Sequence, residues 1–319
     1  MTETETKNLA KEYGYTTYLV ERYIDLFGLE ETIKLLEANE RKPFPSIRCN
    51  TLRVPIKTFE KRMKNRQFTL KKIPYIIHGY QVLKSKYPLG ATPEYLLGFY
   101  YIQGTASMIP VYVLDPQPGE LVIDACAAPG GKTTQIAQLM KNKGTIIAVD
   151  LKLNRLKSLC SNLSRCSVRN TIVLHTDARK LPALGIKADK VLLDAPCTGE
   201  GLICIDPSRK TSRKMEDIHW CSSLQKELLT AAIKATKTGG HLVYSTCSIA
   251  PEENEEVIQY VLEKEQLGVE VEDTGLEIGE NGLIKAFGKT FDLSLSLAKR
   301  FYPHKHTTEG FFFCLLKKK

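Results

Sequence analysis

Residues 121–140 read LVIDACAAPGGKTTQIAQLM, and this stretch decides the fold. The short apolar run LVID suits a buried strand. The small residues ACAAPGG allow a tight turn, and TTQIAQLM carries apolar residues at helical spacing. The same alternation continues outward. GTIIAVD precedes LNRLKSLCSNLSRC, then comes TIVLHTD, ADKVLLDAP precedes SSLQKELLTAAIKATK, and GGHLVYSTC precedes EENEEVIQYVLEKE. Strands separated by helices imply a parallel α/β sheet with right-handed crossovers. At the end of the chain, VEVED and GFFFCLLKKK read as strands with no long helix between them, so an antiparallel terminal hairpin is expected.

Such a sheet gathers the carboxyl ends of its strands along one edge, where ligands bind. Three cysteines fall at those ends: Cys126, Cys197 and Cys247. So do three acids, Asp150, Asp177 and Asp194. Asp150 is placed to bind two ribose hydroxyls, Asp177 to accept from an exocyclic amine such as adenine N6, and Asp194 to hold a cationic amino group. An acid at a strand end also serves as a helix cap, but three in register suit an adenosine carrying a positively charged amino-acid tail. S-adenosylmethionine has that shape. Two other cofactor classes fail here. A phosphate-binding loop needs glycine where Cys126 stands, and no G-x-G-x-x-G is present.

The chain has 319 residues, of which 43% are hydrophobic and 25% charged, which fits two globular domains. No apolar run approaches a membrane span, and the start MTETETKNLAKEYG lacks a signal-peptide core. Nine cysteines without export features point to reduced thiols and a cytoplasmic location, and no cluster offers zinc geometry, so no metal is expected. Residues 41–90 hold thirteen Lys or Arg against one acid, Glu60, with aromatic residues interleaved. That pattern suits phosphate attraction and base stacking; its plainer alternative is a solvated basic face over an aromatic core. Residues 15–39 read as two helices broken at Gly28, and short strands around KTFEKRMKNR complete a small α+β module. The division is therefore 1–100 for this small module and 101–319 for the α/β domain. Residues 252–280 are acidic except for Lys264 and read as a solvated helix and loop.

At AAPGGKTT, DAPCTGEG and STCS the chain resembles the RNA cytosine-C5 methyltransferases of the RsmB/Nop2/Sun family. The likeness begins at Arg48-Cys49-Asn50 and runs through Pro251-Glu252-Glu253-Asn254 to Arg300-Phe301-Tyr302-Pro303-His304. It implies a Rossmann-like class I methyltransferase domain with a small amino-terminal module, and S-adenosylmethionine as cofactor. It also implies a structured RNA substrate, tRNA ahead of rRNA, with no membrane and no obligate protein partner. By this resemblance Cys126, Ala127, Ala128, Pro129, Gly130, Gly131 and Lys132 line the cofactor pocket, with Asp150, Arg155, Asp177 and Asp194 in reach. Cys247 is then the nucleophile and Cys197 the thiol that assists product release. Lys132 would lower the nucleophile's pKa, and Asp194 would serve the base edge or the cofactor amine. Arg48 and Asn50 fall with the RNA contacts, and Arg300 and His304 either meet the target nucleotide or structure the terminal hairpin.

Carbon 5 of cytosine is a weak nucleophile, and thiolate addition at carbon 6 activates it; a cysteine of lowered pKa suits that role. The target base must leave its stack to be reached. Two other readings compete. A catalytically dead RNA-binding scaffold would have lost a thiol or an acid, and none is missing. A DNA cytosine methyltransferase would use Cys197 and needs a large recognition insert. The remaining cysteines, Cys49, Cys160, Cys166, Cys204, Cys221 and Cys314, read as small core residues. Trp220 reads equally as packing or stacking.

Overall fold

The computed structural model describes residues 3–319; the first two residues of the expected amino-terminal module and of its polar start lie outside the described residues. Three helices lead the chain: α1 (Glu3–Tyr13), α2 (Thr17–Phe27) and α3 (Leu29–Asn39). Gly28 separates the last two at φ 79°, which glycine adopts at no steric cost. Next come β1 (Ser46–Cys49), α4 (Ile56–Asn65), β2 (Thr69–Lys72), β3 (Gly79–Lys84), the single turn α5 (Pro93–Leu96) and β4 (Tyr100–Ile102). These strands form an antiparallel sheet in the order β2-β3-β1-β4. β4 straddles residue 100, so the small sheet continues to Ile102. Its three residues are too few to show a strand alternation, which is why the segment reads as a linker.

After α6 (Ile109–Leu114) the alternation follows the sequence reading: β5 (Leu121–Asp124), α7 (Gly131–Leu139), β6 (Thr145–Asp150), α8 (Leu153–Arg165), β7 (Thr171–His175) and β8 (Ala188–Asp194). Then come the short α9 (Arg209–Ser212), α10 (Met215–Ala235), β9 (Thr236–Thr246), α11 (Glu255–Leu262) and β10 (Val269–Glu272). The tail holds β11 (Glu280–Asn281), the two-stranded ribbon β12 (Lys285–Ala286) and β13 (Lys289–Thr290), β14 (Lys299–Phe301), α12 (Pro303–His306) and β15 (Phe311–Lys318). The large sheet runs β11-β14-β15-β9-β8-β5-β6-β7, with β10 also on β15. From β9 to β7 every neighbour is parallel. The chain reverses its winding direction at β5, between β6 and β8, and such a switch point opens a crevice at the strands' carboxyl ends.

Helices cover both faces, so the inner strands are apolar throughout; Val191, Leu192 and Leu193 on β8 are all fully buried. Each such side chain contributes about 1.5–3 kcal/mol relative to exposure. The terminal strands are more elaborate than a hairpin. β15 pairs antiparallel with β9 along one edge, while β14 and β10 share its other edge, against Phe311–Phe313 and Leu315–Lys318 respectively. The acidic segment is also not wholly solvated. Glu252, Glu253, Asn254 and Glu255 are buried, because each carboxylate has a partner from a distant element: Arg22 for Glu252, Thr198 for Glu253, Arg300 for Glu255. The leading helices pack against this region rather than against the small sheet, with Leu19, Tyr23 and Leu36 in one cluster with Ile203, Ile249 and Tyr302.

Candidate active site

β5 delivers Asp124, and the turn after it passes through a cis Ala128–Pro129 bond to Gly130, at φ 106°. A β-carbon on Gly130 would stand 2.9 Å from the Leu159 side chain, so the turn is tight from both sides. α7 begins at Gly131. A cleft of about 250 Å³ opens there, lined by Asp124, Cys126, Ala127, Ala128, Pro129, Gly131, Lys132 and Asp194, with Ser107 and Gly104 opposite. The sequence-predicted run therefore lines one wall, except Gly130, which turns the chain.

Asp194 ends β8 and faces the cleft. Lys132 Nζ lies 2.6 Å from its Oδ2, and Ser245 Oγ donates to its Oδ1 at 2.8 Å. Lys132 also donates to Ser107 Oγ at 2.9 Å. The Lys132 ammonium is thus directed at a carboxylate and a hydroxyl. Asp150 is buried, its Oδ2 accepting from Ala128 N at 3.1 Å and its Oδ1 from Lys152 N at 2.9 Å. Arg155 pairs with Asp150 at 3.4 Å and donates to the Ala128 carbonyl, so both brace the turn. Asp177 binds Arg179 at 2.6 Å, and neither Asp177 nor Asp150 is in the cleft lining. Asp124 is the acid that the strand-end reading passed over. Burial pushes its carboxyl up to about 7; Thr133 donates to Oδ2 at 2.7 Å, and Oδ1 has no partner. Its place as the last residue of the first strand was the available signal.

Beside Asp194 the two remaining strand-end thiols meet: Cys197 Sγ and Cys247 Sγ are 3.0 Å apart. The hydrogen bond with Cys247, together with burial, holds the Cys197 thiol well above its ordinary pKa. The Cys197 turn is fixed by its backbone. Thr198 N and Oγ1 donate to Glu253 at 2.9 and 2.5 Å, Arg209 donates to Thr198 O at 2.6 Å, and Gln225 to Pro196 O at 2.8 Å. Burial raises the Glu253 carboxyl. The Cys247 turn is held from the other side: Gly201 N donates to Cys247 O at 2.9 Å, and Gly310 N to Gly201 O at 2.7 Å. A β-carbon on Gly201 would fall 2.1 Å from Gly310 O, so no larger residue fits there.

Two of the expected RNA contacts are corrected, and Arg300 takes the second of its two readings. Arg48 is 1% exposed; it donates to Gln103 at 3.1 Å, to Thr134 Oγ1 at 2.7 Å and to Gln138, clamping β1 onto α7. Asn50 is buried and donates to the Gly98 and Cys166 carbonyls at 2.8 and 2.9 Å. Arg300 is 1% exposed, paired with Glu255 at 2.5 Å and bonded to Ile249 O and Tyr302 Oη; it structures the terminal strands. In each case internal acceptors replace water, leaving no donor for a phosphate. His304 Nε2 lies 3.3 Å from Glu31 on α3. Of the thirteen basic residues in 41–90, all except Arg48 are exposed, but Phe59, Phe68 and Tyr80 are core and only Phe44 and Tyr87 stand out among the aromatics. Cys160 is exposed rather than packed, and Trp220 is 66% exposed on α10. Among the described residues no group of His, Cys, Asp and Glu is placed to hold a metal, and no helix is long and apolar enough to cross a membrane.

Residues 111–317 match the family model of the 16S rRNA methyltransferase RsmB/F, and residues 17–105 that of the N-terminal domain of the 16S rRNA methyltransferase RsmF. The chain is 46% identical to a 28S rRNA (cytosine-C(5))-methyltransferase of Mus musculus, over 98% of its own length and 40% of that protein's. It is 38% identical to a tRNA (cytosine(49)-C(5))-methyltransferase of Pyrococcus abyssi, over 94% of this chain and 95% of the other. The crystal structure of a methyltransferase homolog from Pyrococcus horikoshii superimposes with a TM-score of 0.90 at 40% identity, covering 99% of each chain. The chain spans about half or less of the length of four rRNA methyltransferases that it matches.

Proposed function

From the premise that this chain belongs to the RsmB/F family of RNA methyltransferases, we propose that it transfers a methyl group from S-adenosylmethionine to carbon 5 of a cytosine in RNA, through a covalent bond between Cys247 and carbon 6. The observation that carries the reading is the pair of thiols 3.0 Å apart beside a cleft whose acids are Asp124 and Asp194. Similarity to the Pyrococcus abyssi tRNA enzyme, at 38% identity, supports tRNA as the substrate.

The residues fit the cofactor. The turn from Cys126 to Gly131 brings backbone close to a ligand, Asp124 Oδ1 is buried and unpartnered, and Asp194 adds a carboxylate that suits a cationic ligand. Cys126–Lys132 would wall the cofactor, Asp150, braced with Arg155, would bind its ribose, and Asp177 its adenine. When bound, the cofactor supplies an electrophilic methyl group. Cys247 adds to carbon 6 of the target base, which makes carbon 5 electron-rich. Cys197, held protonated by its neighbour and by burial, is a poor nucleophile at neutral pH; its S–H is placed to donate to the Cys247 sulfur while the carbon-5 proton passes to water and the enzyme–base bond breaks, returning Cys247 as the thiolate. Asp194 has a donor on each oxygen, Lys132 and Ser245, and so presents a fixed carboxylate to the base edge. The exposed lysines and arginines of the amino-terminal module would hold the flanking phosphates.

The test is methyl transfer from labelled S-adenosylmethionine to unmodified tRNA transcripts, rRNA fragments and duplex DNA, with nucleoside analysis. 5-Methylcytidine in tRNA is expected; label confined to rRNA would move the substrate, and no label in any RNA despite bound cofactor would overturn the reading.

A further inference from the structure

A second cavity, about 430 Å³ against about 250 Å³ for the cleft, lies between α3, the loop after it, and α12. Arg41 and Lys42 stand on its wall, exposed and without an ion-pair partner among the described residues, opposed by one lining acid, Glu37. Phe44, next to them, is 54% exposed. His304 is also among the lining residues; its side chain is 2% exposed, and its Nδ1 is buried without a hydrogen-bond partner. An apolar ring left in solvent, two free cations and an unsatisfied buried imidazole nitrogen converge on one hollow.

Its position relates it to the thiols. The lining residue Thr308 precedes Gly310 by two positions, and Gly310 N binds Gly201 O while Gly201 N binds Cys247 O. Glu309, between them, accepts from Ser107 N at 3.3 Å, and Ser107 lines the cleft. The segment from Thr308 to Gly310 therefore links the second cavity, through hydrogen bonds, to Ser107 of the cleft and to the Cys247 turn.

On the RNA-methylation reading above, we propose that this cavity holds one unpaired nucleotide of the RNA, adjacent to the target cytosine. Phe44 stacks on its base, Arg41 and Lys42 hold its phosphate, and His304 and Thr308 meet its hydrogen-bonding edge. The volume lies in the range of small-ligand sites. Aromatic stacking with flanking cations is how single-stranded nucleic acid is gripped. Extruding the target base also frees its neighbour from the stack. Burial lowers the pKa of His304, so at neutral pH the imidazole can direct Nε2–H at Glu31 and keep Nδ1 as an acceptor.

The experiment compares the full chain with Phe44→Ala, Phe44→Trp and the double variant Arg41→Ala/Lys42→Ala. Binding of fluorescein-labelled single-stranded RNA dodecamers is followed by anisotropy, cofactor binding by calorimetry, and methyl transfer with tRNA transcripts. Phe44→Ala should weaken RNA binding about tenfold and raise the RNA KM by a similar factor, with Phe44→Trp restoring both. The double variant should weaken binding comparably and flatten its salt dependence, while cofactor affinity stays unchanged. RNA affinity that is unchanged in both Phe44→Ala and the double variant overturns the proposal, as does a wild-type chain that binds none of the dodecamers. A wild type that binds RNA but methylates none sinks the enzymatic reading alone. Anisotropy, which needs no turnover, still decides the cavity. Retained cofactor affinity certifies folding; if Phe44→Ala loses it, the double variant decides.

Discussion

At the scale of single residues, the proposed chemistry rests on which of two adjacent thiols attacks the base. Cys197 is held protonated by the bond to Cys247 and by burial, which suits the proposal that Cys247 is the attacking group. Cys247→Ser should abolish both turnover and the covalent RNA adduct. Cys197→Ser should block turnover while the adduct accumulates on a denaturing gel, and the reverse pattern would give the nucleophile's role to Cys197. Asp124 supplies a second prediction. Its carboxyl titrates near 7, raised by burial, so it is neutral below that pH and negative above. Without ligand its folded pKa exceeds the unfolded one, so its contribution to stability falls as pH rises from about 4 towards 7. Binding of a cationic cofactor has the opposite sign: S-adenosylmethionine affinity should rise between pH 6 and 8, by up to about tenfold per pH unit where one proton is released. Asp124→Asn should flatten that profile in calorimetry, and an equally steep profile in the variant would exclude Asp124.

At the scale of elements, the strand ends matter less than the turns between them. The Cys247 turn depends on the close approach of Gly201 to Gly310, where an added β-carbon would meet Gly310 O at 2.1 Å and Cys247 O at 2.8 Å. Gly201→Ala should therefore lower kcat by about a hundredfold or more through displaced geometry. Cofactor affinity should be spared, since the Cys126–Lys132 wall belongs to another element; equal loss of both would mean that the whole edge has collapsed. The β/α alternation from residue 121 onward was legible because each strand is a continuous apolar run and each helix has its own period. β4 was not, being three residues long, and the buried run Glu252–Glu255 was not, because four polar residues in a row read as surface. Of the site, the thiols and Asp194 were legible from their places at strand ends, and Lys132, at the start of α7, from the family resemblance. Ser107, Ser245 and Glu253 were not, since each acts only through a partner far along the chain.

At the scale of the whole molecule, buried charges join the parts. Arg22 of α2 pairs with Glu252, Arg48 of the small sheet reaches Gln138 on α7, and Arg300 of β14 pairs with Glu255 at the start of α11. The last pair is almost fully enclosed, at 1% and 0% side-chain exposure. Glu255→Ala leaves a guanidinium uncompensated in the interior and should cost about 3–5 kcal/mol in denaturant unfolding. Replacing both partners, Glu255→Leu with Arg300→Met, should recover much of that loss; a double variant as unstable as the sum of its singles would show that the pair acts otherwise. The sequence by itself determined the α/β class, the strand and helix order of the large domain, the three strand-end cysteines and the basic amino-terminal face, because periodicity and side-chain chemistry are local properties. Tertiary structure alone decided that Arg48, Asn50 and Arg300 are internal struts, that Cys197 and Cys247 touch, and that Asp124 is the second acid of the cleft. A charged or polar side chain is the same in sequence whether its hydrogen-bond partner is water or a residue 90 positions away, and only the folded chain settles which one it meets.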